Sequence, residues 1–203
     1  GAVVRPRNVS GDHPEVSDDG DAFPGHRFDA VVERNNPNPV RGRLTDAARV
    51  EGWAVYLEEA AMNAGLLDDK PRVRELIYLF GIFRAARMPA DVWLQLNELT
   101  ATEVADYWIE RVPYLDRDVA RVDAEIYLRR PPGYGLGYTT GMLQMQTLLA
   151  DRKRQLGEAF RLKDFHDELM AAGRLPLSLI RWEMTGDTEG IADLWSRDPL
   201  PVD

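Results

Sequence analysis

Val50-Glu51-Gly52-Trp53-Ala54-Val55-Tyr56-Leu57-Glu58-Glu59 is the stretch from which the fold is best read. It sets an apolar stripe beside three carboxylates in a helical pattern. Glu51, Val55 and Glu58 are spaced i, i+4, i+7 and share one helix face. Apolar residues on the same turns can bury that face. A carboxylate held against apolar surface must be paired, protonated or bound to a metal, because loss of water disfavours its charge. Glu51 is therefore the most informative side chain in the chain. Arg84 and Arg87 are its candidate structural partners.

Helical punctuation continues outward from this stretch. Thr45 or Asp46 can cap the organising helix, which runs to Ala64 with Gly65 just past its end. A second helix starts near Lys70-Pro71, carries Val73, Leu76, Ile77, Phe80 and Phe83, and stops before Pro89. A third, shorter one spans Ala90 to Glu98. Thr100 and Glu103 form a capping-box pattern for a fourth, ending near Arg111, and Asp116 caps a fifth from Arg117 to about Leu128. Pro131-Pro132-Gly133-Tyr134-Gly135-Leu136-Gly137-Tyr138 reads as a sharp break, with glycines that let backbone approach something closely. Further helices follow from about Thr139 to Leu156, Leu162 to Ala172 and Pro176 to Met184. No period-two alternation of any length appears. The chain is predicted to be all-α, with about eight helices.

Residues 1–24 read as an irregular acidic tail, residues 25–185 as the helical domain, and residues 186–203 as a second acidic tail. Phe28, Val31 and Val32 could begin an ordered helix. Ile191, Leu194 and Trp195 could dock the C-terminal tail on the body.

The 203 residues carry a net charge of −9 and no cysteine. That balance excludes a nucleic-acid backbone or an anionic membrane surface as the main partner. It also leaves no disulfide, thiolate ligand or cysteine nucleophile. No apolar run approaches membrane-spanning length, and no signal-peptide core opens the sequence, so a cytoplasmic location is the expectation.

Glu51-Gly-Trp-Ala-Val-Tyr-Leu-Glu58 resembles the Glu-Gly-Trp-Ala-Leu-Tyr-x-Glu signature of the domain-of-unknown-function-885 family. The likeness extends through Phe80 to Arg87, Pro132-Gly133, Tyr138-x-x-Gly141 and Phe160 to Leu177. The resemblance implies a zincin-like, mostly helical metallopeptidase fold, of which this chain is expected to be the C-terminal part. The family's metal site is His-Glu-x-x-Pro-Gly-His with the Glu of Glu-Gly-Trp as a further ligand. The matching stretch here is Gly20-Asp21-Ala22-Phe23-Pro24-Gly25-His26. Gly20 stands where a histidine ligand is implied, and Asp21 where the base glutamate is implied. His26 and Glu51 match the two remaining positions. Two protein ligands are too few for a tight zinc site, which normally keeps three plus water. Gln95 likewise replaces a histidine of the family, and Tyr134 replaces a glutamine.

These departures imply a degenerate metallopeptidase-like domain that has lost zinc-peptidase chemistry and keeps a pocket for a small molecule or peptide. An alternative is a metal-independent acid/base enzyme acting by elimination, cyclisation or isomerisation. A second alternative is a metallohydrolase with an unusual ligand set, completed by Asp21 or His13. Glu51, His26 and Tyr138 are the candidate catalytic residues. Tyr134, Gln95, Arg87 and Trp53 are candidates for substrate binding. Trp53, Tyr56, Trp93, Tyr107 and Trp108 also suit a core, and His13 and His166 read as ordinary histidines. No cofactor is expected, with zinc as the weaker alternative, and a homodimer is a possible assembly. Glu51, His26, Tyr138, Tyr134 and Gln95 are predicted to converge.

Overall fold

The computed structural model describes Asn38, residues 40–192 and Ser196. Seven α-helices and no strand occur among the described residues: α1 (Ala47–Asn63), α2 (Pro71–Gln95), α3 (Ala101–Arg111), α4 (Arg117–Tyr127), α5 (Tyr134–Leu156), α6 (Leu162–Ala171) and α7 (Leu177–Thr185). The all-α expectation holds. None of these helices is long and apolar enough to cross a membrane. The expected helix near Phe28 lies outside the described residues.

Side-chain caps place several boundaries where the sequence predicts them. Asp46 accepts from the Arg49 backbone N–H at the start of α1, Thr100 and Glu103 close a reciprocal capping box on α3, and Asp116 caps α4. Each satisfies a donor that a helix start leaves orphaned.

Two predicted boundaries move. The expected second and third helices are one, because Pro89 lies inside α2. An interior proline removes one backbone hydrogen bond and costs about 3 kcal/mol in an isolated helix. Here the residues beyond it are buried. Ala90 and Leu94 enter a core with Phe83, Val104 and Trp108, and Asp91 is 1% exposed. That burial holds the helix through the proline. Helix α5 begins at Tyr134 rather than Thr139, so the tyrosine–glycine stretch is helical and not a loop.

The glycines do allow a close approach, but to another helix. A Cβ on Gly52 of α1 would land on the Gly141 backbone of α5, and one on Gly141 would collide with the Ala48 carbonyl oxygen. A Cβ on Gly137 would meet Ala47 and Ala48 backbone at 3.3 Å. Ala48 and Gly52, like Gly137 and Gly141, are four apart, so each pair lines one helix face. The two helices cross backbone to backbone.

Two cores flank this crossing. One joins Trp53, Tyr56, Met145, Phe165, Leu169 and Ile180 from α1, α5, α6 and α7. The other joins α2, α3 and α4 around Trp108 and Tyr127. Ile191, beyond α7, is fully buried, as the docking of the C-terminal segment predicts.

Candidate functional site

Glu51 is 4% exposed although it carries a carboxylate. Its position on α1 turns it toward α5, where Tyr134 and Tyr138 stand one turn apart. Tyr138 donates its hydroxyl to the Tyr134 hydroxyl at 2.8 Å. Tyr134 is in turn hydrogen-bonded to Glu51. The three groups form a relay from a buried phenol, through a half-buried phenol, to a buried carboxylate.

The relay has a definite electrostatic sense. Burial raises the Tyr138 pKa, and the Glu51 and Tyr134 charges raise it further. Burial also raises Tyr134, with Glu51 again opposing ionisation. Both phenols stay protonated near neutral pH and act as donors.

Arg87 of α2 closes one side. Its Nε donates to Asp123 Oδ2 at 2.9 Å, and its guanidinium lies 4.2 Å from the Phe83 ring centre and 4.9 Å from that of Tyr138. Burial works to lower the Arg87 pKa, but Tyr127, Asp123 and Tyr138 outweigh it and leave it raised, so Arg87 stays cationic. Arg130 lies 5.1 Å from the Tyr134 ring centre. A cation on each side of the phenol pair offers cation–π attraction. Asp91 fixes the start of α5 by accepting from the Gly135 N–H at 2.8 Å and the Leu136 N–H at 3.4 Å. It thereby positions Tyr134.

The predicted residues separate into three groups. Glu51, Tyr134, Tyr138 and Arg87 come together. Gln95 is one ring removed: its amide donates to the Tyr127 carbonyl at 3.4 Å, and Tyr127 meets Tyr134 edge-on at 5.7 Å. Trp53 belongs to a different cluster, stacked on Tyr56 at 5.6 Å and edge-on to His166 at 5.4 Å. His26, like Gly20, Asp21 and His13, lies outside the described residues, as do Leu194 and Trp195. The arginines considered for Glu51 are engaged elsewhere. Arg84 makes a two-pronged pair with Glu58 at 2.6 and 2.8 Å, and Arg87 serves Asp123.

Sequence reading missed Asp91, Asp123 and Tyr127. A signal was present, since Arg87, Asp91 and Gln95 recur every four residues on one face of α2, and Asp123 and Tyr127 are four apart on α4. It also treated His166 as ordinary, whereas His166 Nε2 is 2.8 Å from the Tyr56 hydroxyl. No local pattern announces that pair, which is separated by 110 positions.

The described donors do not fit zinc. Among the described residues no three histidine, cysteine or carboxylate side chains group closely enough to hold a metal ion. The phenol hydrogen-bonded to Glu51, Tyr134, is held neutral by burial and is a poor substitute for an imidazole or carboxylate ligand.

A family model described as "Bacterial protein of unknown function (DUF885)" matches residues 21–184. No curated protein matches the chain. The solved structures similar to it include two from the genera Colwellia and Shewanella. One is titled a "putative lipoprotein" from Colwellia psychrerythraea, with a TM-score of 0.69 and 25% identity over 80% of this chain. The other is titled a "putative lipoprotein of unknown function" from Shewanella oneidensis, with a TM-score of 0.66 and 25% identity over 80% of this chain. This chain spans only 27% and 30% of those two proteins.

Proposed function

The chain belongs to the bacterial DUF885 family, and on that premise we propose that it is a zincin-like helical domain that has lost peptidase chemistry and binds a small molecule or peptide at Glu51, Tyr134 and Tyr138. The observation that carries this reading is the relay itself. A buried carboxylate bonded to a neutral phenol, itself bonded to a second one, is set to orient a polar ligand group, and the described residues around it supply no zinc-hydrolase ligand set. The half-buried Tyr134 is the member that a ligand reaches. Arg87 and Asp91 hold Tyr138 and the start of α5 in place. His26 is the residue we assign to complete the site.

The test uses the full chain and Glu51→Gln, which keeps shape and removes charge. A panel of dipeptides and small polar metabolites is screened by thermal shift. At least one compound is expected to raise the wild-type midpoint, with the shift lost in Glu51→Gln. Stoichiometric zinc in the purified wild type, lost in Glu51→Gln, would overturn the reading in favour of an unusual metallohydrolase.

The same relay favours a second reading, metal-independent acid/base catalysis. Tyr138 would donate a proton through Tyr134, with Glu51 and His26 as the other proton carriers. Product formation from a bound panel compound, abolished in Tyr138→Phe while binding persists, selects this reading over simple binding.

A further inference from the structure

A concavity lies on a side of α1 away from Glu51. It is a cleft of about 340 Å³ between α1, α5 and the start of α6, at the lower end of the roughly 300–1,000 Å³ typical of small-ligand sites. Its origin is local. Ala60 and Ala64 follow Tyr56 at i+4 and i+8, so small side chains occupy one face of α1. Leu149 and Leu162 from the neighbouring helices stand around them as apolar walls.

The polar side of the cleft is held in place. Tyr56 is 4% exposed, and its hydroxyl is fixed by His166 Nε2 at 2.8 Å. Glu59 accepts from the Gln146 amide at 2.6 Å, which anchors its carboxylate across the α1–α5 seam. Asn63 adds a further amide one turn on. Glu59 is the one formally charged residue among the described residues lining the cleft.

We propose that this cleft is a second binding site, distinct from the Glu51 cluster, for a primary ammonium group carrying a short apolar chain. The ammonium sits on the Glu59 carboxylate, with the amide oxygens of Gln146 and Asn63 as further acceptors. The chain lies on Leu149 and Leu162 over the alanine floor. A carboxylate ligand is rejected, because it would face Glu59 without a counter-charge. An alcohol of equal length keeps the apolar contact and loses the charge-assisted bond.

The probe is 1-hexylamine, titrated calorimetrically into the full chain, with 1-hexanol and hexanoate as comparisons. Saturable binding of hexylamine is expected, weakened about tenfold or more for hexanol and absent for hexanoate. Glu59→Gln is expected to weaken hexylamine about tenfold, and Ala60→Leu to abolish binding by filling the floor. Equal affinity for hexanol would overturn the ammonium assignment. Absence of saturable heat up to about 10 mM, or unchanged hexylamine binding in Glu59→Gln, would overturn the site. Glu59 is partly exposed, so that variant decides the matter even where Ala60→Leu fails to fold.

Discussion

Two clusters hang from the same helix, and they differ in kind. On one side of α1, Glu51 meets Tyr134 and Tyr138, with Arg87 and Asp123 behind them, and the grouping is charged. On another side, Trp53 and Tyr56 meet His166, and these three rings are uncharged, with the buried Arg49 guanidinium 5.6 Å from the Trp53 ring centre. Gly52 lies between them in sequence and meets only the α5 backbone. Glu51-Gly-Trp-Ala-Val-Tyr56 is thus a hub and not a single site. Glu51 serves the relay, Gly52 the helix crossing, and Trp53 and Tyr56 the second cluster.

The crossing should be the hardest part to alter, because both clusters depend on it. Gly141→Ala drives a methyl group into the Ala48 carbonyl. The expected loss exceeds about 3 kcal/mol in urea denaturation, with both clusters disturbed together. A loss below about 1 kcal/mol would mean the helices can separate, and the clusters would then be independent.

The charged cluster comes next. Arg87→Ala leaves Asp123 in a largely buried place without its cation. The pair is partly exposed, at 14% and 16%, so the expected loss is about 2–3 kcal/mol, below that of a fully buried pair. The same measurement on Tyr56→Phe, in the neutral cluster, should show about 1 kcal/mol, the worth of one hydrogen bond. Similar losses in the two variants would erase the contrast.

A pH series sharpens it further. Burial lowers the His166 pKa below its ordinary 6.5, partly opposed by the Asp167 charge. The unfolded chain therefore binds that proton more readily than the folded one. The stability from neutral His166 is complete above the unfolded value and is lost as pH falls from there toward the folded value. The urea midpoint should drop between about pH 7.5 and about pH 5.5 more steeply in wild type than in His166→Gln. Tyr56, raised by burial to about 12, stays protonated throughout. Smallest of all, Gly81→Ala on the exposed half of α2 meets no atom within 4 Å and should stabilise by about 0.5–1 kcal/mol.

The helix starts were legible because caps are local chemistry: Asp46, Thr100 with Glu103, and Asp116 each act within three residues. Pro89 misled because the burial of Ala90, Asp91 and Leu94 is tertiary, and nothing within a few residues reports it. Of the glycines near Tyr134, Gly137 makes the close backbone approach that the sequence suggests, whereas Gly133 meets nothing and Gly135 faces the Tyr127 ring. The backbone that Gly137 approaches, at Ala47 and Ala48, lies more than eighty residues earlier, and nothing local separates that contact from a loop. In the site, Glu51, Tyr134, Tyr138 and Arg87 were visible as polar groups on apolar faces. Trp53 faces the other cluster because a helix turns about 100° per residue, so two positions carry it about 200° round from Glu51.

The first half of α2 has a consequence of its own. Val73, Leu76, Phe80 and Ile82 remain exposed there, although the same apolar stripe enters the core at Phe83. With so few buried contacts, opening this stretch costs little compared with opening α5. Its backbone amides should take up deuterium early, while those around Met145 stay protected. Unzipping of the molecule would thus begin at Pro71 and halt near the Arg84–Glu58 clasp.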